Sequence, residues 1–188
     1  AIEIKPSITG AYVARAKAYL KVEKFEEAIA DLNKLIRKKA NNADFYYSRG
    51  YAKLAINNYS GANTDFTAAL NIKPKHKNAL IKKALTSFNM KKYDDAAKEY
   101  GTLCDVFPDK ALYHVNRGIA YLRLNEYDQA VTSFNHAIDL DNKLPEAYFN
   151  RANAFSQLNR NDKACEDMRT AGKLGYDAAF EYIGDFCK

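Results

Sequence analysis

The sequence predicts an all-α protein, an α-solenoid of stacked helix-turn-helix units, and three observations lead there. The chain repeats itself every 34 residues, five times running, without an insertion. Stepping by that period from Gly50 visits only small residues, Ala16, Gly50, Ala84, Gly118 and Ala152, and twelve residues further on lies a column of Ala28, Ala62, Ala96, Ala130 and Ala164. Each copy also reads as two apolar runs at helical spacing, parted by a short break. Similarity at a fixed period of this length is the mark of supersecondary units that bury their apolar faces on one another.

The elements follow in order as repeats 9–42, 43–76, 77–110, 111–144 and 145–178, after an N-terminal lead-in at 1–8. The fourth repeat shows the grammar. Val115, Gly118, Ala120, Tyr121, Leu122 and Leu124 make a first helical run; Asn125 and Glu126 break it; Ala130, Val131, Phe134, Ala137, Ile138 and Leu140 make a second. Asp128 stands in the second run's first turn, where a helix N-terminus favours negative charge. An aromatic column of Phe25, Tyr59, Tyr93 and Tyr127, broken at Asn161, sits between the runs, and a bulky column holds Leu32, Phe66, Tyr100, Phe134 and Met168. Pro74 and Pro108 close the second and third repeats, because a further helical residue there would lack its N–H bond. The tail carries Ala178, Ala179, Tyr182, Ile183 and Phe186 at helical spacing. It reads as a capping helix over 179–188 that covers the last apolar surface of the stack.

This pattern resembles the tetratricopeptide repeat, of a bacterial type, with its 34-residue period, small-residue columns and closing proline. The resemblance covers residues 9–178 and implies a right-handed α-solenoid that binds a protein or peptide without catalysis. There are departures. The family's first-helix tryptophan is replaced by Tyr12, Tyr46, Leu80, His114 and Tyr148, and the closing proline by Ala40, Asn142 and Tyr176. The branch of the family that clamps acidic chaperone C-termini carries Lys-x-x-x-Asn, Asn and Lys-x-x-x-Arg on successive first helices. No three consecutive repeats satisfy that pattern; at the first pair of places the second repeat has Tyr47 and Tyr51, and the third Ile81 and Leu85.

Composition narrows the function classes. A hydrophobic content of 47% supplies a core, and 8 glycines with 4 prolines are too few for a linker-rich or disordered chain. No apolar stretch approaches the ~20 residues that span a bilayer, so no membrane insertion is expected. No signal peptide is present among these residues, and a chain starting at Ala1 is consistent with one removed by processing. Residues 1–94 hold 18 Lys and Arg against 8 Asp and Glu, whereas residues 95–188 hold 11 against 15. The basic clusters Arg37 to Lys39 and Lys73 to Lys77 lie at repeat ends, and no stripe of bases interleaves with stacking aromatics. A solvated surface rather than a nucleic-acid interface is the expected reading.

A second charge pattern reads as structural. Arg15, Arg49, Lys83, Arg117 and Arg151 precede the small column, and sixteen residues later stand Asp31, Asp65, Glu99, Ser133 and Asp167. Four repeats of five thus carry an opposite-charge pair between paired helices, and where the base is lysine the acid is glutamate. Arginine holds a carboxylate in bidentate fashion, so these are expected to be helix-to-helix ion pairs.

Function in such a solenoid is expected on the face lined by first helices. Helical spacing projects Val13, Ala14, Lys17, Leu20 and Lys21 there from the first repeat, then Tyr47, Ser48, Tyr51 and Leu54 from the second. The third offers Ile81, Lys82, Leu85, Phe88 and Asn89, the fourth Val115, Asn116, Ile119, Leu122 and Arg123, and the fifth Phe149, Asn150, Asn153 and Gln157. Tyr47, Tyr51, Ile81, Leu85, Val115, Ile119 and Phe149 form the expected apolar bed for a docked peptide or helix. Asn116 and Asn150 are placed to bond an extended backbone, with Lys17, Lys82 and Arg123 as charged flanks.

Cys104 reads as a small core residue. Cys165 and Cys187 lie eleven residues either side of Tyr176, at one level of a helical hairpin, and are either a disulfide in an oxidising compartment or two reduced thiols. If bonded, a loop of that size stabilises by about 3 kcal/mol. The resemblance to envelope-associated bacterial tetratricopeptide proteins tilts the expected location toward the periplasm or cell envelope. His76, His114 and His136 have no metal-ligand spacing, and no Cys-x-x-Cys or phosphate loop occurs, so neither cofactor, metal nor catalysis is expected. An adaptor with a peptide groove is the first functional reading. An architectural subunit of a larger envelope assembly, using the ends or edges of the solenoid, is the alternative; the pattern leaves the oligomeric state open.

Overall fold

In the computed structural model, which describes residues 9–181 and residue 187, the periodic runs form helices of 13 or 14 residues throughout. The chain divides into two compact units, Ala1–Lys91 and Lys92–Lys188. The first contains α1 (Thr9–Lys21), α2 (Phe25–Lys38), α3 (Ala43–Ala55), α4 (Tyr59–Ile72) and α5 (Lys77–Asn89). The second contains α6 (Tyr93–Val106), α7 (Ala111–Arg123), α8 (Tyr127–Leu140), α9 (Pro145–Gln157) and α10 (Asn161–Lys173). Within each unit every helix packs on the next in the chain, and α3 also meets α5 as α7 meets α9. The first helices α3 and α5, and likewise α7 and α9, are therefore neighbours, and that juxtaposition builds the site below.

The helices turn by a device that recurs at the same period. Glu23, Asn57, Lys91, Asn125 and Asn159 all adopt left-handed backbone, with φ between 56° and 61°. Asn125 shows its use: the next residue, Glu126, donates its N–H to Tyr121 O at 3.0 Å, closing the end of α7 around the left-handed residue. The same bond joins Lys24 to Tyr19, Asn58 to Lys53 and Arg160 to Phe155. The aromatic column braces two of these turns, since Tyr59 and Tyr127 donate their hydroxyls to Asn57 Oδ1 and Asn125 Oδ1 at 3.0 and 2.9 Å. Gly175, at φ 91°, ends α10 in the same manner, with Tyr176 N–H on Ala171 O at 3.0 Å.

The alanine column is at most 1% exposed at Ala28, Ala62, Ala96, Ala130 and Ala164. The other small column matches the bulk opposite it. Gly50 and Gly118 face the fully buried rings of Phe66 and Phe134, and a Cβ on either glycine would stand 2.8 or 2.6 Å from a ring carbon. Where alanine occupies this column, as at Ala16 and Ala152, the bulky column sixteen residues later holds Leu32 or Met168. Among the described residues no helix is long and apolar enough to cross a membrane.

The ion-pair column takes the expected form at Arg15, Arg49 and Arg151. Arg15 grips Asp31 through Nε and Nη2 at 2.7 Å each, Arg49 grips Asp65 at 2.9 and 2.6 Å, and Arg151 grips Asp167 at 2.7 Å twice. Burial opposes the charge of Arg151, but hydrogen bonding and the charge of Asp167 outweigh it and hold the guanidinium above its ordinary value. Lys53 adds a third contact to Asp65 at 2.8 Å. The repeat-four member departs: Arg117 Nε donates to Ser133 Oγ at 3.1 Å.

Residues 178–181 are helical, and Ala179 is buried in the core of the second unit. The lead-in at 1–8, and Tyr182, Ile183 and Phe186 of the expected capping helix, lie outside the described residues. Cys187 is described, and its Sγ is joined to Cys165 Sγ at 2.08 Å with Cα atoms 5.5 Å apart. Cys104 is buried, which pushes its thiol up to about 11 and leaves it protonated and unreactive at neutral pH.

Candidate functional site

In the second unit the adjacency of α7 and α9 opens a cavity of about 550 Å³. Ile119, Leu122 and Arg123 line it from α7, and Phe149, Asn150, Asn153 and Gln157 from α9. All seven come from the face that helical spacing assigned to first helices. Tyr127, at the start of α8, and Ser156 complete the wall. Sequence reasoning had placed Tyr127 only in the column between paired helices. Its hydroxyl bond to Asn125 pins the ring at the helix turn, beside the end of α7. Phe149 is held from behind by the Tyr176 ring, 4.7 Å away. The cavity is thus an apolar floor of Ile119, Leu122 and Phe149, with amides along α9 and one cation, Arg123, at its edge.

Two expected members behave differently. Val115 is 5% exposed and belongs to the core with Ala130, Phe134 and Ala152, so it supports the floor from beneath rather than meeting a ligand. Asn116, half-buried, lies outside the cavity lining, and Asn150 spends its amide N–H on Glu146 O at 2.7 Å, leaving its carbonyl oxygen for a ligand.

The first unit has its own first-helix surface. Tyr51 is exposed, with Lys82 Nζ 5.8 Å above its ring and Phe25 edge-on at 6.4 Å. Tyr47 on the same helix, and Ile81 and Leu85 on α5, are half-buried. Tyr47 leans on Phe66 and on His76, whose ring centroid is 5.1 Å away, and burial, with a smaller contribution from Tyr51, raises its phenol above the ordinary value. His76 is structural: Nδ1 accepts the Ala79 N–H at 3.2 Å and caps α5, while Nε2 donates to Asp44 at 3.1 Å. Lys17 lines a separate, smaller cavity of about 130 Å³ with Val13, Leu20, Phe45 and Ser48. Among the described residues no group of three or more His, Cys, Asp or Glu side chains is placed to hold a metal ion.

His114 takes the place of an aromatic core residue, with His136 5.6 Å away and its own Nδ1 buried without a partner. Burial, then Arg117 on its own helix, then His136 on α8 lower its pKa; Asp105 on α6 opposes them. The folded state therefore resists protonation that the unfolded chain accepts near the usual ~6.5. Stability is full above that value and is lost as pH falls through it toward the lowered folded pKa. Urea midpoints between pH 7.5 and 5 are expected to fall for the wild type, and less for His114→Tyr, which restores the tyrosine of three other repeats.

Comparison with known proteins agrees with this architecture. A family profile described as "TPR repeat" matches residues 17–56 and 120–159, and one described as "Tetratricopeptide repeat" matches 145–174. No curated protein matches the sequence. Among solved structures, YrrB, described as a TPR protein with an unusual peptide-binding site, is 17% identical with a TM-score of 0.83, over 97% of this chain and 95% of that one. MamA 41-end from Desulfovibrio magneticus RS-1 is 21% identical with a TM-score of 0.79, over 88% and 94%. A further MamA structure is 16% identical with a TM-score of 0.82, over 96% of each chain. At these identities the likeness is one of fold. With its 34-residue helix pairs, small-residue columns and matching repeat profiles, the chain belongs to the tetratricopeptide-repeat family, whose fold is that of a protein-interaction scaffold.

Proposed function

We propose that the protein is a non-catalytic adaptor that holds a peptide segment against its first helices, chiefly in the cavity between α7 and α9. The observation that carries this is the composition of that cavity: Ile119, Leu122 and Phe149 offer apolar area, and Asn150 and Asn153 offer bonding groups for a backbone. A peptide meets such a surface by burying side chains on the floor and satisfying its main chain on the amides. YrrB, similar in fold, is described as having a peptide-binding site, which makes a peptide the first ligand class to try.

Asn153→Arg fills the cavity with a long charged side chain at a half-buried polar position, without touching the core. It is expected to weaken a peptide selected from a random library by at least about tenfold, the loss of ~1.4 kcal/mol, with unchanged helical circular dichroism. Tyr51→Asp and Leu85→Asp test the first unit's surface in the same assay. Peptide affinity unchanged in all three variants, together with a stable oligomer in sedimentation, would instead favour an architectural subunit working through its ends or edges.

We also propose an oxidising location, the periplasm or cell envelope. The Cys165–Cys187 bond supports it, since such bonds persist where thiols are not kept reduced.

A further inference from the structure

The five-fold repetition makes one residue stand out by internal comparison. Arg49 and Arg151 each have all three guanidinium nitrogens on protein acceptors: Nε and Nη2 on Asp65 or Asp167, and Nη1 on Asn33 or Asn135 at 2.7 Å. Each asparagine sits sixteen residues before its arginine, on the second helix of the preceding repeat. At Arg117 both acceptor columns have lost their groups together. The aspartate place holds Ser133, and the asparagine place holds Gly101. Ser133 gives its proton to Gln129 O at 2.9 Å and takes only the Arg117 Nε–H. Gly101 brings no side chain, and a Cβ there would meet nothing closer than Arg117 Cδ at 4.0 Å. None of the ion pairs among the described residues includes Arg117.

Arg117 opens onto a pocket of about 300 Å³ that Tyr121, Asp128, Gln129, Thr132 and Ser133 line with it. A half-buried guanidinium keeps its charge at any physiological pH, and its two outer nitrogens present a fork matched to a carboxylate. Tyr121 and Gln129, whose side chains carry O–H and N–H donors, belong to the same lining. The acid in the wall, Asp128, is exposed and pairs with Arg160 at 3.3 Å rather than with Arg117. The equivalent pocket around Arg151, about 510 Å³, is also open, but its arginine is already paired with Asp167 and bonded through its third nitrogen to Asn135. It serves as an internal control.

We infer that Arg117 is a receptor for a carboxylate from outside the chain, an Asp or Glu side chain or the C-terminus of a bound segment, which takes the position that Asp65 and Asp167 occupy in their repeats. The site is separate from the α7–α9 cavity in its lining residues and does not depend on the peptide reading above.

The test follows the arginine Nε–H resonances of the whole chain by nuclear magnetic resonance during titration with sodium acetate, with sodium chloride at equal ionic strength and inorganic phosphate as parallel arms. A saturable shift of the Arg117 signal in acetate alone is expected, with Arg151 unmoved. Ser133→Asp supplies the carboxylate internally and is expected to weaken acetate at least about tenfold. Gly101→Asn, which supplies the other acceptor, is expected to weaken it in the same direction, and Asn153→Arg to leave it unchanged. No saturable acetate shift, equal shifts in chloride, or full acetate binding in both Ser133→Asp and Gly101→Asn would overturn the assignment. So would phosphate binding more tightly than acetate.

Discussion

Asp65→Ala is expected to remove about 3–5 kcal/mol of stability, the usual cost of breaking a buried ion pair from one side. The carboxylate is 1% exposed and receives three charged contacts, two from Arg49 and one from Lys53. Truncation leaves two cations turned toward a site with no anion, and the Arg49 bond to Asn33 cannot compensate for a missing charge. The check is the urea midpoint of the variant against wild type. Arg49→Met combined with Asp65→Ala should recover part of the loss, because much of the penalty belongs to the stranded charge rather than to the pair. If the single variant loses less than about 1 kcal/mol, the pair behaves as an exposed one and the column is not structural.

Gly118→Ala is expected to destabilise by about 1–3 kcal/mol, although alanine is the better helix former by ~1 kcal/mol. The added methyl would stand 2.6 Å from Cε1 and 2.7 Å from Cζ of Phe134, a ring that is fully buried and has no free end to swing away. The repeats themselves indicate the rescue. Sixteen residues after the alanines of this column at Ala16 and Ala152 stand Leu32 and Met168 in place of a ring, so Gly118→Ala with Phe134→Leu should be more stable than Gly118→Ala alone. Thermal melts of the two single variants and the double variant decide it; a double variant worse than both singles would mean that the two columns do not share space as described.

The parts of this molecule that could be read from sequence are those where period alone carries the information. The helix pairs, the alanine column and the Arg–Asp column recur at 34 residues, and five copies average out the noise of any one. Whatever depends on the crossing of one helix over another was harder. Val115 and Ile119 are one helical turn apart and equally apolar, yet one lies in the core and the other on the cavity floor. Periodicity says which stripe of α7 they share, but the depth to which α9 covers that stripe is set by tertiary packing. Tyr127 entered the site for a related reason: its ring is placed by a hydroxyl bond to a left-handed turn residue, which no apolar pattern encodes. The turn residue itself was within reach. Asn57, Asn125 and Asn159 fall at one place in the period, and asparagine is among the few non-glycine residues that enter the left-handed region readily. The acceptors Asn33 and Asn135 also repeat in register with their arginines, but their role appears only once successive repeats are in contact.

The central claim, that first helices of the second unit hold a peptide, is tested most directly by mapping where one binds. Backbone and methyl chemical shifts should be recorded for the whole chain as a library-selected peptide is titrated in. The account predicts that the largest perturbations cluster on Ile119, Leu122, Phe149, Asn150 and Asn153, with Val115 responding weakly from beneath. Perturbations confined to the ends of the chain or to second helices, with those five residues unmoved, would contradict it.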